Sequence, residues 1–217
     1  MSVDRSNPDR QASGRHAAVA TRDAILDAAR RRLLEVGYAG LSTRGVADAA
    51  GVPLSQLHYH FGSKQQLILD VLEAEDARRL ARQTAMYAED KPLWQRYEQA
   101  CDFLEEDLDS GYVRVLQEMI AAGWSEPTIG TRVRSLLQGW VDLVTDVTRE
   151  AENKFGPLGP FPPEEVAALI SQAFMGGEAM LLLGFERQHW PVRSALRRIA
   201  VLIRQLEEGG RDASPSA

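Results

Sequence analysis

Residues 42–64 read STRGVADAAGVPLSQLHYHFGSK, and the pattern predicts two short helices joined by a tight glycine turn. Leu41, Ser42 and Thr43 open the first of them, which runs to about Ala50, and Gly51 is its left-handed terminator. Val52 and Pro53 make the turn, because proline fits a helix start and not a helix interior. The second helix, under two turns long, runs from Leu54 to His60. The apolar positions are Val46, Ala47, Ala50, Val52, Leu57 and Phe61. Small Ala47 and Ala50 let the two helices cross closely, while Leu57 and Phe61, four apart, share an inner face. Ser55, Gln56, Tyr59 and Lys64 are left outside, and each can hydrogen-bond to a base or a phosphate. A helix this short gains little by standing alone with its polar side uncovered. Presentation of that side to a major groove accounts for its composition.

Outward from this stretch every regular segment reads as helix. A first helix is expected from Thr21 as N-cap, with Ile25, Ala28, Ala29, Leu33 and Val36 at three-four spacing and Gly37 as its end. Ser63, Lys64, Gln65 and Gln66 form a capping-box pattern for a long helix through about residue 87. Further helices are expected near 92–109, 111–123, 126–153, 163–186 and 191–207, with Pro92, Pro127, Pro163 and Pro191 at or near their starts. Residues 155–163, rich in proline and glycine, can only be a loop. The arm 1–17 and the tail 209–217 read as disordered. The fold class is all-α, with no internal repeat and no heptad run.

Composition narrows the function. The single cysteine, Cys101, excludes an intrachain disulfide and reads as a small apolar residue in a helix. The first residues lack the apolar run of a signal peptide, and the longest uninterrupted apolar stretch, 179–184, is too short to span a membrane; a cytoplasmic location is expected. Net charge is −6, yet residues 1–64 hold nine Lys/Arg against six acids, and the remainder holds 16 against 25. A basic head on an acidic body suits a protein that offers one end to phosphate. Residues two apart on a helix diverge by about 200°, so His58 and His60 cannot share a metal ion. No phosphate loop, nucleophile elbow or paired-carboxylate motif argues for an enzyme, and no cofactor is implied. The acidic runs 105–107 and 207–208 read as solvated faces.

Residues 21–72 resemble the DNA-binding head of the tetracycline-repressor (TetR) family of transcriptional regulators. The resemblance rests on Thr43-Arg44-Gly45-Val46-Ala47-Asp48-Ala49-Ala50-Gly51-Val52, on Leu57-His58-Tyr59-His60-Phe61-Gly62-Ser63-Lys64, and on Leu67. It implies a helix-turn-helix DNA-binding domain over 18–66 and a helical ligand-binding and dimerisation domain over 67–208. It further implies a homodimer that binds a palindromic double-stranded DNA operator, acts as a repressor, and is released by a small apolar or aromatic ligand. Carried over by position, Thr43 and Arg44 contact phosphate, or in the case of Arg44 a base. Ser55 and Gln56 take the variable base-reading positions, Tyr59 and His60 approach the backbone, and Lys64 meets phosphate at a helix start. The family commonly has tyrosine where this chain has His58, which can also donate to phosphate.

In the body, Trp94, Tyr97, Phe103, Met119, Trp124 and Phe174 are the candidates for a ligand cavity, against the alternative that such side chains simply fill a helical core. The small residues of 174–180 and the stripe Ala195, Leu196, Ile199, Leu202, Ile203 and Leu206 are the candidates for the dimer face. The residues alone leave open a helical enzyme or binding module with a merely structural helix-turn-helix, and an activator in place of a repressor.

Overall fold

A computed structural model describes residues 8–185 and 190–212. Among the described residues there is no strand, and the elements are α1 (Pro8–Gly40), α2 (Thr43–Ala50), α3 (Leu54–Phe61), α4 (Lys64–Tyr87), α5 (Leu93–Asp109), α6 (Tyr112–Ser125), α7 (Pro127–Phe155), α8 (Pro163–Leu182) and α9 (Val192–Asp212). The all-α expectation holds. Two compact units result, Met1–Ala74 and Glu75–Ala217, with the division inside α4.

In the first unit, Ile25, Ala28, Ala29 and Leu33 of α1 are fully buried, together with Val46 of α2, Leu57 of α3 and Leu67 and Ile68 of α4. Gly37 interrupts α1 with φ 73°, as expected of the helix end placed there. The expected start at Thr21 is corrected: its hydroxyl donates to the Ala17 carbonyl at 2.9 Å, one turn back within a continuous helix. A threonine inside a helix satisfies its hydroxyl this way as readily as at a cap. The arm expected to be disordered through residue 17 is likewise helical from Pro8, which takes the first helical position that suits proline. Residues 1–7 lie outside the described residues, as do 213–217 of the expected tail; α9 continues past 208 to Asp212.

The turn between α2 and α3 is built from its own backbone. Gly51 adopts φ 68°, and its N–H and that of Val52 return to the carbonyls of Asp48 and Ala47 at 3.2 and 3.0 Å. Ser42 caps α2, accepting from Gly45 N–H at 3.1 Å, and Ser63 caps α4, accepting from Gln66 N–H at 3.1 Å. The Gln66 side chain does not return to Ser63; it donates to Asp70 at 2.7 Å. Ser42→Ala is expected to destabilise the first unit by about 1 kcal/mol, seen as faster amide exchange across 43–50.

The second unit packs α5 to α9 around Tyr97, Leu104, Val115, Met119 and Phe174. Cys101 lies buried in α5, and burial pushes its thiol up to about 11. Where α6 meets α7 the backbones touch: a Cβ built on Gly130 would lie 2.7 Å from the Gly123 carbonyl oxygen. The run 207–208, expected to be solvated, is corrected in its first member. Glu207 is buried and accepts the Leu93 N–H, capping α5 where Pro92 supplies no side-chain cap. α8 ends earlier than the expected 186, since Gly184 turns at φ 78°, and residue 186 is outside the described residues. Although its uninterrupted apolar run is short, α8 is the one described helix long and apolar enough to cross a membrane by length and composition.

Candidate nucleic-acid interface and cavity

α3 is an eight-residue helix whose buried residues are Leu57 and Phe61, so its remaining surface faces outward. Ser55, Gln56 and His58 are exposed, and Tyr59 stands 83 % exposed. The Tyr59 ring is met edge-on by His60 at 5.2 Å between centroids, which limits its swing without covering it. Of the other candidates, Arg44 is exposed and Thr43, His60 and Lys64 are half-buried. The Lys64 ammonium lies 4.8 Å from the Tyr38 ring centroid, a cation–π contact that steadies a long side chain at the start of α4.

His58, the position that departs from the resembling family, has a defined role in the chain. Its Nδ1 lies 3.1 Å from the Gly62 carbonyl. A carbonyl oxygen only accepts, so Nδ1 carries the proton and Nε2 is the nitrogen left for another partner. A neutral imidazole held this way offers a lone pair at Nε2; only the protonated ring can donate from there to phosphate. Arg22, which sequence patterning left unmarked, holds α3 from behind. Its guanidinium bonds Asp70 of α4 at 2.8 Å and lies 5.0 Å from the Phe61 ring centroid.

The second unit contains a cavity of about 100 Å³ lined by residues of α4 to α8, among them Asp76, Arg79, Gln83, Asp107, Tyr112, Trp140, Phe174 and Glu178. Trp140 meets Phe174 edge-on at 6.0 Å, and Tyr97 meets the same ring edge-on at 5.8 Å. Asp107 accepts from Arg79 at 2.9 Å and from Arg82 at 3.0 Å, so the acidic run 105–107, expected to be solvated, is inward-turned at its third member. Burial raises the pKa of Asp76, against which the Tyr112 hydroxyl donates at 3.2 Å. Burial likewise pushes Glu178 up to about 7, with the Gln117 amide, 2.9 Å away, drawing it back and Asp107 adding to the rise.

Among the six residues expected to line a cavity, Phe174 does so here. Tyr97 lies behind it, donating its hydroxyl to the Leu196 carbonyl at 3.0 Å, and borders a separate apolar groove. The other four lie outside this cavity. Met119 is fully buried core, Trp94 lies under the Arg204 guanidinium and Phe103 under that of Arg82. Trp124 is 82 % exposed at the end of α6, and it borders a second, open hollow between α6 and α7 with Ile120, Val133 and Leu137. The polar lining went unmarked because helical periodicity separates inside from outside and does not separate core from cavity. One signal was present: Glu178 is a lone acid within the apolar run of α8.

The dimer-face candidates divide between two directions. Gly177 is buried against α9, where an added Cβ would lie 3.0 Å from Leu196 Cδ1, whereas Gly176 faces open space. Leu196 is buried, while Leu202 is 64 % exposed beside Val201; Leu169 of α8 and Leu183, just past its end, are exposed as well. An apolar strip on α8 and α9 is thus uncovered in the single chain.

Comparison with known proteins agrees with the geometry of the head. Residues 25–71 match the model of bacterial regulatory proteins of the tetR family. The HTH-type transcriptional repressor AcnR of Corynebacterium efficiens is 41% identical over 63 residues, 29% of this chain and 33% of AcnR. The chain thus spans about a third of the length of the curated relatives it matches. Among solved structures, a TetR transcription regulator from Haloarcula marismortui superposes with a TM-score of 0.69 at 18% identity, over 85% of this chain and 96% of that one. Salmonella enterica GusR superposes with a TM-score of 0.66 at 20% identity, over 85% and 95%. At such identities the likeness is one of fold.

Proposed function

Because the chain belongs to the tetR family of bacterial regulatory proteins through residues 25–71, we propose that it represses transcription as a cytoplasmic homodimer, binding a palindromic operator and leaving it when a small molecule occupies the second unit. The observation that carries the proposal is the outer row of α3: Ser55, Gln56 and Tyr59 are exposed on a helix anchored through the buried Leu57 and Phe61. Gln56 and Ser55 read base edges, Tyr59 and His60 pack against the backbone, and Thr43, Arg44 and Lys64 hold phosphates, with His58 beside them.

The uncovered strip of α8 and α9 supports the dimer, since two copies of one face closing on each other bury Leu169, Leu183, Val201 and Leu202 at once. That closure also gives α8 a protein neighbour in place of a bilayer. An effector releases the operator only insofar as it prefers the DNA-free state, and the operator then weakens effector binding by the same factor.

Binding to its own upstream DNA, followed by fluorescence anisotropy without effector, tests the proposal; affinity no better than for scrambled DNA would sink it. Two substitutions separate the roles. Gln56→Ala is expected to change the sequences recovered in a binding-site selection. Lys64→Ala is expected to weaken all sequences alike and to flatten the salt dependence by about one per subunit in log K against log salt.

A further inference from the structure

We propose that the cavity of the second unit binds a small organic cation with N–H donors, a protonated amine on an apolar or aromatic body. The charges on its wall are unequal: Asp76, Asp107 and Glu178 stand against Arg79. That one guanidinium is already engaged, by Asp107 at 2.9 Å, Glu75 at 2.7 Å and Ser110 at 3.2 Å, while stacking 3.8 Å over the Tyr112 ring. Asp107 is satisfied in the same network by Arg79 and Arg82.

What the wall still offers is acceptor capacity. Glu178 is held by the neutral Gln117 amide at 2.9 Å, and the Gln83 side-chain oxygen is buried with no donor. Beside them Trp140 and Phe174 present ring surfaces. A neutral hydrocarbon would leave the Gln83 oxygen unpaired and the Glu178 carboxylate uncompensated, each at a desolvation cost. An anion would meet the acids Asp76 and Glu178 and find the one guanidinium of the wall already engaged. A protonated amine donates to both acceptors, lies against aromatic faces that favour cations, and returns Glu178 to its ionised form. The groups sharing the wall with Glu178 are Asp76 and Arg79 of α4, Asp107 of α5 and Tyr112 of α6; α7 contributes Trp140.

That such a ligand acts as effector rests on the function proposed above; its binding does not. The test is therefore calorimetric titration of the full chain without DNA, using benzylamine, benzyl alcohol and benzoate, which share a ring and differ in charge. Benzylamine is expected to bind about tenfold or more tighter than benzyl alcohol, with no detectable binding of benzoate. At pH 7 its binding should release protons, read from titrations in buffers of different ionisation enthalpy. Glu178→Gln, which keeps shape and the Gln117 contact, should bring benzylamine to within about twofold of benzyl alcohol and abolish the proton release. Benzoate binding as tightly as benzylamine, a preference unchanged in Glu178→Gln, or no binding of the amine would each overturn the proposal. A chain that binds benzylamine but no DNA would overturn the repressor function and leave the cavity assignment standing.

Discussion

Leu169→Glu combined with Leu202→Glu is expected to give a folded monomer whose operator affinity has fallen by about 10³ or more, into the range of non-specific binding. The two side chains are 51 % and 64 % exposed in the single chain, so replacing them removes little of its own core. In a twofold assembly each substitution is counted twice, which places four carboxylates at a face that the apolar Leu183 and Val201 share. Burying unpaired charge at such a junction costs more than the apolar contact contributed. Each monomer keeps its Ser55, Gln56 and Tyr59 row, so weak, salt-sensitive DNA binding should persist while the palindrome loses its advantage. Sedimentation establishes the mass, circular dichroism the helicity, and anisotropy the affinity. A double variant that stays dimeric with full affinity would place the assembly on another face.

The head was legible because its determinants are local. Ser42, Gly51, Pro53 and Ser63 act within three or four residues of themselves, so their caps and turns follow from spacing, and the inward row Val46, Ala47, Leu57 and Phe61 follows from periodicity. The same reasoning marked α5, α7, α8 and α9 from the prolines at or just before their starts. It misread Thr21 because a threonine hydroxyl serves a cap and a helix interior equally well. The cavity was illegible for a different reason: its pairings join residues far apart, Arg79 with Asp107 across 28 positions and Gln117 with Glu178 across 61. Glu207 reaches Leu93 across 114, and nothing near either residue announces it. Phe174 and Met119 sit at similar apolar positions of their helices, yet one borders the cavity and the other is closed core. Tertiary packing alone makes that difference.

Gly130→Val should destabilise the second unit by about 3 kcal/mol or more, and a comparison among glycines shows why. A Cβ on Gly130 would meet the Gly123 oxygen at 2.7 Å, and one on Gly123 would meet Gly130 Cα at 2.9 Å. Both obstacles are backbone, so relief requires α6 and α7 to move apart, opening the packing around Ile129 and Val133. Alanine at 130 recovers about 1 kcal/mol of helix propensity against a smaller clash and should cost less than valine. At Gly139 the obstacle is Leu80 Cδ2 at 2.8 Å, the far end of a flexible side chain that can rotate away. Gly139→Ala is therefore expected to be neutral or to stabilise by up to about 1 kcal/mol. Thermal unfolding separates the signs: Gly130→Val should lower Tm by roughly 6–12 °C, at about 2–4 °C per kcal/mol for a chain of this size, while Gly139→Ala leaves it level or raises it. If Gly130→Val unfolded with the wild-type chain, the backbone contact between α6 and α7 would not be what holds that crossing.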